Sequence, residues 1–394
     1  MKKRTLLYNL QDSQKESFLK RSGLLIFVVL LFFITVSVLS SSFLEKQLHS
    51  SSLKGTLNIF STEQLVTFMG TINPYFKQGL PNSYEPPSLQ SLSFELATSI
   101  RPGDIRSLLG RELPGFAIYD TEILVAGEGT DYTTLPIESA PPLDVLLKER
   151  EVVEEKLQLD DTGEEEKPDL TTNGRDVVYI YQSHSTESFL PLLKDADEPN
   201  EARSRNPKAN MIRVGEMLTK ELESRGIGTL QDRTNMEEVL LKRDWSYSDS
   251  YQLSREIVKS AVSQNNDITF SFDLHRDDRR REVTTTKIDG KSYARLAFVI
   301  GEANPNFEKN LQFAEKMHHL LNEKFPGISR AVLKKNKSEG NGLYNQDLSE
   351  RALLIEVGGV DNNLEELHRS IEAIAEVFAD YYWEAEKVNA GGQS

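Results

Sequence analysis

A chain of 394 residues, 38% hydrophobic and 27% charged, holds enough apolar material for two or three folded units and too much for wholesale disorder. Its 46 basic residues against 61 acidic ones leave a net charge of −15, which argues against a nucleic-acid partner, since phosphate binding needs a cationic surface. With no cysteine, disulfide frameworks, zinc fingers, iron–sulfur clusters and thiol nucleophiles are excluded.

From Gly23 to Leu44 no residue is charged, and the centre reads LLIFVVLLFFITVSVL. About 20 such residues in a helix span the ~30 Å hydrocarbon core of a bilayer. The tail, residues 1–22, carries Lys2, Lys3, Arg4, Lys15, Lys20 and Arg21 against Asp12 and Glu16. Positive flanks stay cytoplasmic, so the rest of the chain is expected outside. A cleaved signal peptide with a Val38-Leu39-Ser40 site competes with this reading. The long charged leader and long apolar run favour an uncleaved transmembrane anchor over 23–44, and hence a single-pass cell-membrane protein.

Residues 45–142 hold nine of the fifteen prolines between short periodic pieces and read as a small juxtamembrane domain. Residues 143–174 follow as an acidic linker. Between Glu149 and Asp169 there are ten acids and three bases, a run expected to be solvated. From 175 to 394 strand and helix signals alternate, which predicts an α/β domain with a mixed sheet flanked by helices. Strands are expected at DVVYIYQ, ITFSFDL and ALLIEVGG. Helices are expected at NMIRVGEMLTKELESRG, capped by Gly226, and at SYQLSREIVKSAVSQN, NFEKNLQFAEKMHHLLNEKF and LEELHRSIEAIAEVFADYYWEAE. EVTTTKIDGKSYARLAFVIG reads as a hairpin turning at Asp289-Gly290.

Of the six histidines, His49 lies in the juxtamembrane stretch, and His318, His319 and His368 fall in amphipathic helices, where surface or boundary roles are expected. His184, in YQSHSTESF, follows the first apolar strand, and His275, in DLHRDD, ends a second. Glu356, in LLIEVGG, sits at a third strand end. Ligands gather at the carboxyl ends of strands in open α/β sheets. A carboxylate left dry and unpaired there would cost several kcal/mol. His184 and His275 are 91 positions apart, so any metal site is assembled from separate strands rather than from one helix face. Two histidines and a carboxylate suit a catalytic zinc site, with Glu187 the nearest carboxylate and Glu356 free to act as general base. Glu356 paired simply with Arg276 or Arg351 is the bland alternative. A serine triad built on Ser183, Ser185 or Ser188 is a second, although no G-x-S-x-G elbow is present.

The blocks LLGRELPGF, SHSTESF, FDLHRDD and YNQDLSERALLIEVGGVDN resemble those of the stage II sporulation protein P family, membrane-anchored peptidoglycan hydrolases of endospore formers. The resemblance implies a fold similar to zinc-dependent N-acetylmuramoyl-L-alanine amidases, with Zn2+ as cofactor. It also implies cleavage of the amide between glycan and stem peptide, and of stem-peptide cross-links, in septal wall degradation during engulfment. Carried over by residue, it makes His184 and His275 metal ligands and Glu356 the catalytic carboxylate. Related amidases place a glutamate at the start of the first helix, where this chain has RNPKAN. Glu187 fits as third ligand because the family block reads His-x-x-Glu. Gln182 stands where the family often has histidine. Arg276, next to His275 in the basic run RDDRRR, is expected to bind stem-peptide carboxylates. Partners implied are a glycan-cleaving sporulation protein and a polytopic membrane protein. A non-catalytic envelope scaffold on the same fold is the alternative function.

Overall fold

Alternation of unlike residues decides how this sheet is dressed. In FSFDLHRD, Phe270, Phe272 and Leu274 share one face while Ser271, Asp273, His275 and Asp277 share the other. In ALLIEVGG, Leu353, Ile355 and Val357 oppose Leu354 and Glu356 in the same way. The computed structural model describes residues 121–394 except 138–140, 160–167, 337–340 and 392–394, with a few positions between 66 and 76. The expected cytoplasmic tail, the 23–44 anchor and most of the juxtamembrane stretch lie outside the described residues. Among the described residues no helix is long and apolar enough to cross a membrane.

In chain order the elements are β1 (Glu122–Ala126), the short α1 (Leu143–Leu147), β2 (Asp176–Tyr181), α2 (Met211–Ser224), β3 (Gly228–Gln231), α3 (Met236–Lys242) and α4 (Ser250–Gln264). There follow β4 (Phe270–Asp277), a single turn α5 (Arg281–Thr284), β5 (Thr285–Ile288), β6 (Lys291–Ala294), β7 (Leu296–Gly301), α6 (Phe307–Lys324), β8 (Ser329–Lys335), β9 (Ala352–Gly359) and α7 (Leu364–Gly391). Seven strands form one mixed sheet in the order β1-β8-β7-β9-β4-β2-β3. β3, β2, β4 and β9 are parallel, β7 runs antiparallel to β9, and β1 antiparallel to β8. The α/β architecture read from the sequence is therefore the one observed.

The apolar face of the sheet meets α2, α6 and α7. Phe272, Ile355 and Ile180 pack with Leu218, Phe313, Ile374 and Phe378 in a continuous core. The Asn210 side chain caps α2 by accepting from Ile212 N at 3.0 Å. The helix stops where expected: Gly226 takes a φ of 80°, and Ile227 N donates back to Leu222 O at 3.0 Å. The predicted hairpin forms between β5 and β6, with positive φ at both Asp289 and Gly290. Helix α4 covers part of the opposite face, where Tyr251 packs with Val299, Tyr344 and Leu354.

Two expected boundaries change. Residues 122–137, read as part of the 45–142 unit, are built into the sheet. β1 pairs with β8, Leu135 is buried against Ala331 and Leu333, and Ile137 N donates to Asp277 Oδ1 at 2.9 Å. Arg330 forms a buried ion pair with Asp277 and donates to Thr134 O at 2.9 Å. Five residues of EILVA whose partner strand lies some 200 positions downstream give no local signal of membership. The first half of the acidic 143–174 stretch is not a free linker either. Glu149 accepts from Ser204 Oγ and Arg205 N, both at 3.1 Å, and Val153 N donates to Leu192 O at 2.9 Å. Its acids face basic and amide donors of the following domain, which alternation of charge along the sequence does not reveal.

Candidate active site

Strand β2 ends at Tyr181, and the next residues turn at once. Glu187 N donates to His184 O at 3.2 Å, so the two side chains, three residues apart, emerge on the same side. Backbone bonds pin this turn: Ser204 N to Thr186 O at 3.0 Å, Ser188 N to Ala202 O at 2.9 Å and Met211 N to Glu187 O at 3.0 Å. Beneath it, Ser185 Oγ accepts from Met236 N at 2.8 Å, and Thr186 donates to Glu237. His184 stacks on Tyr247 with ring centroids 4.6 Å apart.

His275 arrives from the adjacent strand β4. It lies inside the strand rather than past its end, on the polar face. Its Nδ1 is 3.5 Å from Glu187 Oε2, while Glu187 Oε1 is 3.4 Å from His184 Nδ1. Ligand atoms of His184, Glu187 and His275 all lie within 4.8 Å of one another, and the three residues are buried. The three ligands expected from the sequence are thus brought together. Burial alone would raise the Glu187 carboxyl, yet the two imidazoles hold it well below the usual carboxylate range. Burial would lower His275, but Asp273 and Glu187 keep its imidazole well above the ordinary value. Both shifts mean that the space between these groups favours positive charge. Two nitrogen donors and one carboxylate are the set a catalytic zinc takes from protein, so the residues fit that ion.

The far nitrogens of both rings are held as well. His184 Nε2 is 2.9 Å from Ser250 Oγ, at the start of α4. His275 Nε2 is 2.8 Å from Ser183 Oγ and 3.2 Å from Asp273 Oδ1. Sequence reading missed Asp273 and Ser250. The period-2 pattern placing Asp273 two positions before His275 was the available signal. The serine-triad alternative fails here: Ser183, Ser185 and Ser188 are all fully buried, and their hydroxyls donate to Asp273, Glu237 and Ala209 O.

Glu356 lies beside His275. The parallel register of β4 and β9 pairs His275 with Glu356, so both side chains leave the same face of neighbouring strands. Glu356 stands outside the three-ligand group, is 4% exposed, and its Oε2 has no hydrogen-bond partner among the described residues. Burial pushes its pKa up to about 8, with the charge of His275 opposing the rise. Two residues on, Gly358 has a φ of 67°, and a Cβ there would sit 2.5 Å from Asn362 Oδ1, the atom that accepts from Gly359 N. That tight turn ends β9. Neither arginine proposed as a bland partner pairs with Glu356, since Arg351 lies over the Phe270 ring.

Arg276 is placed differently from the expectation. Odd and even positions of β4 face opposite ways, so the residue after His275 points away from the polar face. Its guanidinium is buried, donating to Ser188 O at 2.8 Å, to Ala202 O at 2.9 Å and to Asp278. Its backbone N donates to Glu187 Oε2 at 3.1 Å. Arg276 therefore clamps the turn that presents Glu187 and is not open to a stem peptide. The rest of the basic run is engaged too: Arg279 with Leu135 O, Arg280 with Asp197 O, Arg281 with Glu366. Of the histidines expected at surfaces, His319 is exposed and His368 is half-buried beside Glu221. His318 is instead buried, with Nδ1 2.8 Å from Ser329 Oγ, and its pKa falls to about 4 through burial.

Comparison with known proteins gives the following. The profile of the family Stage II sporulation protein P (SpoIIP) matches residues 103–379. The curated "Stage II sporulation protein P" of Bacillus subtilis (strain 168) is 45% identical over 371 residues, 93% of this chain and 92% of that one. Among solved structures, the CwlD amidase of Clostridioides difficile in complex with the GerS lipoprotein is 13% identical, with a TM-score of 0.33 over 54% of this chain and 99% of that one. The N-acetylmuramyl-L-alanine amidase Ami1 of Mycobacterium smegmatis is 12% identical, with a TM-score of 0.29 over 53% of this chain and 97% of that one.

Proposed function

We propose, from the premise that this chain belongs to the stage II sporulation protein P family, that it is a zinc-dependent peptidoglycan hydrolase. It cleaves the N-acetylmuramoyl-L-alanine amide, and stem-peptide cross-links as a second activity, during septal wall degradation in engulfment. The observation that carries this reading is the convergence of His184, Glu187 and His275 next to a buried Glu356. Zinc held by those three residues would supply Lewis-acid activation of the water and of the scissile carbonyl. The chain's own part is then proton management and exclusion of solvent. A carboxyl held near pKa 8 is a competent base and acid at neutral pH: Glu356 takes a proton from the attacking water and returns it to the departing amide nitrogen. Tyr247 and Tyr251 shield His184 on the α4 side. An unused scaffold would have no need of a buried carboxyl whose Oε2 lacks a hydrogen-bond partner among the described residues, beside three convergent donors.

The charge asymmetry around residues 23–44 supports a single-pass anchor that leaves the hydrolase outside the cytoplasm. There it works with a glycan-cleaving sporulation partner and a polytopic membrane partner. A reporter fused after Ser394 tests the topology, and cytoplasmic activity of that reporter would contradict it. The activity is tested by incubating the purified chain with sacculi and analysing the products by mass spectrometry. Free stem peptides are expected, and are lost with a chelator and with His275→Ala. Intact sacculi at saturating zinc would leave the scaffold reading in its place.

A further inference from the structure

A serine hydroxyl has one proton, and where it goes decides what the oxygen can do for a neighbour. Ser183 is buried between Asp273 and His275, at the point where β2 gives way to the His184 turn. Its backbone N donates to Asp273 Oδ1 at 2.8 Å, and its hydroxyl donates to Asp273 Oδ2 at 2.7 Å. The same oxygen lies 2.8 Å from His275 Nε2. With its proton given to the carboxylate, Ser183 Oγ meets the imidazole as an acceptor. Asp273 Oδ1, 3.2 Å from the same nitrogen, is an acceptor too. Nε2 faces two acceptors at 2.8 and 3.2 Å against the one Glu187 oxygen 3.5 Å from Nδ1, so a singly protonated ring keeps its proton on Nε2 and turns the Nδ1 lone pair towards Glu187. At His184 the far nitrogen meets Ser250 Oγ, a hydroxyl that can give or accept.

We propose that Asp273 and Ser183 are positioning residues that lock His275 in its Nε2–H tautomer and aim Nδ1 into the space shared with His184 and Glu187. The inference rests on the reading of those three residues as metal ligands. It backs His275 with a carboxylate that raises its strength as a donor. Asp273 also ties the ligand on β4 to the strand that launches the His184 turn, so one carboxylate keeps both halves of the ligand set in register.

The test uses the full chain, with Asp273→Asn and Ser183→Ala, and two readouts. The first is the ring-nitrogen chemical shifts of 15N-histidine-labelled, metal-free protein at alkaline pH, His275 being assigned by its disappearance in His275→Ala. Wild type should show the Nε2–H pattern, and Asp273→Asn a mixture of tautomers, because an amide offers one acceptor oxygen and two donors. The second is zinc affinity by competition with a chromophoric chelator. Asp273→Asn should bind zinc ~10–100-fold more weakly. Ser183→Ala should lose less than tenfold, since Asp273 can still take the Nε2 proton. An Nδ1–H pattern in wild type overturns the proposal, as does wild-type affinity in both variants. If Asp273→Asn does not fold, the graded loss in Ser183→Ala decides. Failure of wild type to bind zinc would defeat the ligand reading, while the tautomer pattern would still decide the lock by itself.

Discussion

Glu356→Gln separates proton chemistry from metal holding, and its consequences follow from burial. The carboxyl is raised from 4.5 to about 8, chiefly by desolvation. At about 1.4 kcal/mol per pH unit, that shift sets ~5 kcal/mol against ionising it inside the fold. Below pH 4.5 the group is neutral in both folded and unfolded chains and contributes nothing to the difference. Between 4.5 and 8 the unfolded chain ionises and the folded one does not, so stability falls as pH rises. Above 8 the loss is complete. Glutamine keeps the shape and abolishes the slope. Urea unfolding of the compact 109–394 unit, metal-free, at pH 5, 7 and 9 should show wild type losing ~4 kcal/mol relative to the variant from pH 5 to 9. With zinc restored, the variant should keep full metal occupancy and an unchanged KM, while kcat drops ~10²–10⁴-fold. Parallel pH curves would refute the buried-acid account. Zinc loss would make Glu356 a ligand, and normal turnover would make it structural.

Four further outcomes are expected. A fragment beginning at residue 175 should melt well below one beginning at 109, because it lacks β1 and the Thr134 and Ile137 partners of Arg330 and Asp277. Within the longer fragment, Asp277→Ala should cost ~3–5 kcal/mol by leaving Arg330 buried and unpaired, read by chemical denaturation. Arg276→Gln should weaken zinc binding and lower the melting temperature with little change in KM; a raised KM alone would restore a substrate-binding role. The low pKa of His318 should make stability fall as pH drops from 6.5 towards 4, by ~2 kcal/mol once solvent screening is allowed for, and His318→Gln should flatten that slope.

What the sequence made legible was what is local or repetitive. The alternating strands, the Asn210 and Gly226 ends of α2 and the Asp289-Gly290 turn are each set within a few residues, and the structure has them. His275 and Glu356 were recognisable because polar residues in apolar strands need a reason to be there, His184 because it follows such a strand, and Glu187 as the carboxylate nearest to it. Contacts that close across long stretches of chain were not legible. β1 joins a strand some 200 positions downstream, and its five residues, none fully buried, resemble any short apolar piece. Arg276 was misplaced because adjacency in sequence was taken for adjacency in space, whereas neighbours along a strand point to opposite faces. Asp273 was missed for the same reason in reverse: two positions away along the chain, it is the near neighbour.

The two-faced dress of β4 also restricts how this protein can change over time. Its eight residues serve the core through Phe270, Phe272 and Leu274, the candidate site through Asp273 and His275, and the Arg330 ion pair through Asp277. Inserting or deleting one residue here turns the aromatic rings towards the site and the acids towards the core, a double failure that no second substitution nearby repairs. Point changes are barely freer, because shrinking Phe272 would slacken the backbone that aims its neighbours. Variation in substrate preference among descendants of this chain must therefore accumulate elsewhere.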